Sequence, residues 1–60
     1  MKKHMTNIEV QTVREYVATD LECGMYDEIN EVLSELGNED EHDVDMDSEM
    51  ADTIDDILNA

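Results

Sequence analysis

Two short apolar stripes at helical spacing, one on each side of Gly24, constrain this 60-residue chain more than any other feature. Before the glycine, Val13, Tyr16, Val17 and Leu21 fall on one helical face, while Arg14, Glu15, Thr19, Asp20 and Glu22 fill the rest of the surface. Thr12 is a suitable N-cap, and Glu15 stands where a capping-box carboxylate would reach back to it. Gly24 supplies the left-handed residue that ends a helix at little steric cost. Beyond it, Asp27 can cap a second helix whose Ile29, Val32, Leu33 and Leu36 again form one stripe, and Gly37 offers a second stop. The pattern predicts helix, tight corner, helix.

Upstream, Thr6, Ile8 and Val10 alternate with Asn7, Glu9 and Gln11, the period of a short, half-buried strand. One strand cannot satisfy its own backbone, so the cheapest partner is the same strand of a second copy across a two-fold axis. The expected fold is therefore mainly α with one short strand, a ribbon-helix-helix homodimer. Its dimer core is drawn from Ile8, Val10, Val13, Tyr16, Val17, Leu21, Ile29, Val32, Leu33 and Leu36. Sixty residues without Trp, Phe or Pro are few for a self-sufficient core, which also favours oligomerisation or folding on a partner.

The run Tyr16-Val17-x-x-x-Leu21-x-x-Gly24-x-Tyr26 resembles the first helix and corner of ParD-type antitoxins, which commonly read aromatic-Ile-x-x-x-Val-x-Ser-Gly-Arg-Tyr. At the same distance from the glycine, Asn30-Glu31-Val32-Leu33-x-Glu35 is similar to their second helix, usually Ser-Glu-Val-Ile/Val-Arg-Glu. The resemblance covers about a third of the chain. It implies a homodimer that reads its own operator with the ribbon and neutralises a ParE-type toxin with its C-terminal segment. Two departures remove positive charge: Cys23-Gly24-Met25-Tyr26 replaces Ser-Gly-Arg-Tyr, and Ser34 stands where a basic residue is common. The outward ribbon residues would be Met5, Asn7 and Glu9, with Lys3 nearby. Lys3, Met5 and Asn7 are thus candidates for weak DNA contact, while Glu9 repels phosphate.

Charge sharpens this picture. Three Lys and Arg against eighteen Asp and Glu give a net charge of −15, which opposes attraction to nucleic acid and favours basic partners. Residues 1–37 carry eight acids and three bases (−5), and residues 38–60 carry ten acids and no Lys or Arg (−10). This shift predicts a dimerisation domain over 1–37 and an acidic partner-binding tail over 38–60. Residues 38–47 read as a flexible linker, too charged to order themselves. Met50, Ile54, Ile57 and Leu58 then recur at helical spacing, with Asp47 or Ser48 placed to cap. So short a helix needs another surface, either its own dimer or a separate protein. Together with Val44 and Met46 it forms the candidate partner-binding set, aimed at a basic protein such as a ParE-type toxin, with DNA binding weak or absent. The principal rival is an acidic decoy whose ordered carboxylates imitate phosphates and occupy the basic groove of a nucleic-acid-binding protein. High-salt adaptation would also produce such acidity.

Other features carry less chemistry. Asp43, Asp45 and Asp47 copy the opening of a calcium loop, but Ser48 replaces the turn glycine and Ile54 the bidentate glutamate. His4 and His42 lie far apart in sequence, with only Cys23 as a further soft ligand, and read as solvated side chains without zinc spacing. Cys23, expected at a helix C-terminus, lacks a neighbouring base. No nucleophile and base pair up, so the expectation is a non-enzyme without metal or cofactor. A lone cysteine and the lack of any long apolar run lead to an expected cytoplasmic location, with no membrane partner.

Overall fold

The computed structural model describes residues 1–19 and 24–60. Strand β1 (Lys2–Thr6) leads directly into helix α1 (Asn7–Thr19), followed by helix α2 (Gly24–Ser34), strand β2 (Glu41–Asp45) and helix α3 (Ser48–Leu58). The described residues are mostly helical, with three helices and one two-stranded antiparallel sheet.

The junction of β1 and α1 corrects the expected boundaries. The Thr6 hydroxyl accepts the Glu9 amide at 3.3 Å, and the Glu9 carboxylate accepts the Thr6 amide at 3.0 Å, which is a complete capping box. Thr12, the other candidate cap, lies inside α1, and its hydroxyl donates to the Ile8 carbonyl at 2.9 Å. Residues 6–10 are therefore a cap and the first turn of a helix, not a strand. The physical reason is spacing: Val10, Val13 and Val17 recur at i, i+3 and i+7 and are buried together, leaving Ile8 on the solvent side at 79% exposure. Gly24 opens α2 instead of closing α1. The corner at 20–23, with Leu21 and Cys23, lies outside the described residues.

The largest difference falls in the expected linker. Residues 41–45 form β2, which pairs with β1 so that Lys2 faces Asp45, His4 faces Asp43, Met5 faces His42 and Thr6 faces Glu41. Two backbone bonds clamp the ends of this ribbon, from the Met46 amide to the Met1 carbonyl at 2.9 Å and from the Asn7 amide to the Asp40 carbonyl at 2.8 Å. Strict alternation explains why so charged a segment is ordered. Glu41, Asp43 and Asp45 point to water while His42, Val44 and Met46 are buried, so ordering the strand desolvates no carboxylate of the three. The chain thus supplies its own partner for β1, and the pairing that motivated a second copy is met within one molecule.

Helix α3 follows the expected stripe. The Asp47 carboxylate caps it by accepting the Met50 amide at 2.8 Å, and Met50, Ala51, Ile54 and Ile57 are buried. Helix α1 lies between α2 and α3 and also packs on β1. One hydrophobic core results. Residues 1–37 give it Met5, Val10, Val13, Val17, Ile29 and Leu33, and residues 38–60 give it Val44, Met46, Met50, Ala51, Ile54 and Ile57. Val32, Leu36 and Leu58 pack against its margin. The boundary expected at Gly37 falls between two sets of residues that share this core.

Candidate functional site

The residues expected to touch a partner or DNA are mostly held by the fold itself. Val44, Met46, Met50, Ile54 and Ile57 are buried, and Leu58 is partly so. Met5 is fully buried, Lys3 is spent on an ion pair with Asp55 of α3, and Asn7 starts α1 with its amide bonded to Asp40. These three do not share an outward face, because the expected strand lies elsewhere. Of the expected dimer core, Val10, Val13, Val17, Ile29 and Leu33 are buried, Val32 and Leu36 are partly buried, and Ile8 and Tyr16 are exposed. Tyr16 meets Tyr26 edge to face, with ring centroids 5.8 Å apart, joining α1 to α2.

The remaining surface is defined by which charges find partners. Arg14 donates to the Leu33 carbonyl at 2.8 Å, where α2 is running out of amide donors for its last carbonyls. Lys2 lies opposite Asp45 on the ribbon. Arg14 and Lys3 are thus engaged with groups of the chain itself, and Lys2 stands exposed on the ribbon. The acids are distributed otherwise. Glu28, Glu31 and Glu35 are exposed at i, i+3 and i+7 along α2 and the turn after it, and Glu49, Asp52 and Asp56 repeat that spacing along α3. Neighbours in such a stripe stand roughly 5–6 Å apart. On β2, Glu41, Asp43 and Asp45 share one face at a strand repeat of roughly 6.7 Å. Such separations are comparable to those between successive charges on an extended polyanion, and the backbone beneath them is regular helix or strand.

One group of acids on the sheet has a close cation. His4 approaches Asp43 with Nδ1 at 2.9 Å and Glu41 with Nε2 at 3.4 Å. The bond to Asp43, and then that to Glu41, raises the His4 pKa above its ordinary value of 6.5. His42 behaves oppositely to its expected solvation: it is buried on the inner face, and its Nε2 has no hydrogen-bond partner. The signal was available in the sequence, since His42 occupies the apolar phase of the alternation that runs through Val44 and Met46. Asp43 and Asp45 lie in an extended strand and Asp47 is committed to capping, so the three do not form a loop around a common centre.

Among the described residues no cavity opens and no helix is long and apolar enough to cross a membrane. Comparison with protein-family models, curated proteins and solved structures gives no match. The chain is therefore read from its own surface, which offers ordered carboxylates and few free cations. Such a surface can bind cationic groups and exclude anionic ones.

Proposed function

We propose that this protein is a non-catalytic acidic decoy that occupies the basic, nucleic-acid-binding surface of another protein. The observation that carries this reading is the ordering of the acidic C-terminal segment, which holds its carboxylates at helix and strand spacing instead of on a flexible tail. Rigid placement lowers the entropy cost of presenting many charges at once, and electrostatic steering speeds encounter with a basic groove. The decisive experiment is capture from the native host followed by challenge with duplex DNA. A basic protein should be retained, released by DNA, and bound less tightly as salt rises. Retention that saturating DNA leaves unchanged would rule the decoy out.

A second reading follows the resemblance to ParD-type antitoxins and is favoured by two consecutive helices, α1 and α2, with Tyr16 and Tyr26 meeting between them. In that reading the chain is a ribbon-helix-helix homodimer, with at most weak operator binding, that neutralises a basic ParE-type toxin. Its tail would have to draw Met50, Ile54 and Ile57 out of their own core to engage the toxin. Light scattering distinguishes the two, since a monomer at micromolar concentration leaves no ribbon between copies.

A further inference from the structure

The outer face of the sheet carries a second device, independent of any partner. Both ring nitrogens of His4 face carboxylate oxygens, Nδ1 toward Asp43 at 2.9 Å and Nε2 toward Glu41 at 3.4 Å. A neutral imidazole has one N–H and can donate to only one of them, whereas the imidazolium donates to both. The arrangement is therefore built for the cation. We propose that His4, Asp43 and Glu41 form a proton-operated clasp between β1 and β2: protonated, the imidazole bridges the strands; deprotonated, it releases one carboxylate and leaves the face more acidic.

The surroundings support an assignment to this group alone. On the same face stand Lys2 from β1, opposite Asp45 of β2, and Thr6, opposite Glu41. The terminal amine of Met1 lies 3.8 Å from Asp45. The neighbouring ionisable groups Lys3 and His42 belong to the other face, where Lys3 pairs with Asp55 of α3 and His42 is buried, and the helices cover that inner side. With His4 charged, His4 and Lys2 are each matched by the acid directly across the ribbon. Losing its proton removes one of those cations. His4 is more than half exposed, so its proton exchanges freely with solvent and the clasp follows bulk pH.

The sign of the linkage is fixed by geometry and by the raised His4 pKa. The contribution to stability is fully present below the unfolded value of about 6.5 and is lost as pH rises through the higher folded value. The test uses the whole chain. Histidine resonances followed by NMR give the His4 midpoint in the wild type and in Asp43→Asn, and denaturant midpoints between about pH 6 and about pH 9 compare the wild type with His4→Gln. The expected results are a His4 midpoint above the ordinary value that moves down in Asp43→Asn, and a wild-type midpoint that falls with pH more than that of His4→Gln. An unmoved His4 midpoint in Asp43→Asn, or parallel pH profiles for the wild type and His4→Gln, overturns the proposal. Both substitutions change exposed side chains, and the difference between profiles cancels whatever is common to the two proteins.

Discussion

Among the described residues, the segments on either side of Gly37 contribute equally to the core, and over the whole chain they contribute unequally to the charge. Each supplies six of the twelve buried apolar side chains described, yet residues 1–37 carry −5 and residues 38–60 carry −10, with every Lys and Arg in the former. The difference teaches that acidity does not by itself mark disorder. What decides is whether the acids share positions with the apolar residues or alternate with them. In β2 they alternate, and in α3 they occupy the helical faces that the core does not need.

The severest way to break the equality is to end the chain at Gly37. This removes half of the core together with the only partner of β1 among the described residues, so the truncated chain is expected to lose its cooperative fold and its helical circular dichroism. A retained, sharp thermal transition would restore the view of a domain with a tail. Next, Leu33→Asp and Ile54→Asp place one charge at a fully buried position in each segment. Both should cost several kcal/mol against a total stability of about 3–9 kcal/mol for a chain of this length. If the segments are truly equal partners, the two denaturation curves should collapse alike; loss in Leu33→Asp alone would make α3 peripheral.

Smaller changes sharpen the comparison. His42 is the one buried polar residue among those described, and its Nε2 lacks a partner. Replacing it with Leu should stabilise the chain by about 1 kcal/mol, read as a higher urea midpoint. Raising salt from about 0.02 M to about 0.5 M should increase the thermal midpoint, because it screens the acid stripes of α2 and α3 more than it weakens the few ion pairs. Finally, Gly37 adopts no positive φ, and an added Cβ there meets nothing within 4 Å. Gly37→Ala should thus be neutral or stabilising by about 0.4–1 kcal/mol, which calorimetry can detect.

Legibility in the sequence followed how many signals agreed. The stripe of α3 and its Asp47 cap were readable because periodicity and capping chemistry pointed to the same boundary. Helix α1 was misplaced because Thr6-x-x-Glu9 and Thr12-x-x-Glu15 both satisfy a capping box, and local chemistry cannot choose between them. The choice is made by tertiary burial of Val10, along with Val13 and Val17. Strand β2 was hidden by its own composition, since net charge argued for a linker while the alternation of His42, Val44 and Met46 argued for a strand. Strand β1 gives almost no signal alone: Met5 is its only fully buried residue, and its identity depends on a partner 35 or more positions away.

That alternation has a further consequence for how the molecule finds its native pairing. Strands β1 and β2 are separated in sequence by two helices, so no tight turn sets their alignment, which could in principle slip by a residue. A one-residue shift would turn Glu41, Asp43 and Asp45 inward together and expel His42 and Val44. No cation among the described residues stands ready to receive three carboxylates on that side, with Lys3 already taken by Asp55. The acids of β2 thus specify the register from the outside, disfavouring the slipped pairing just as the buried His42 and Val44 favour the native one.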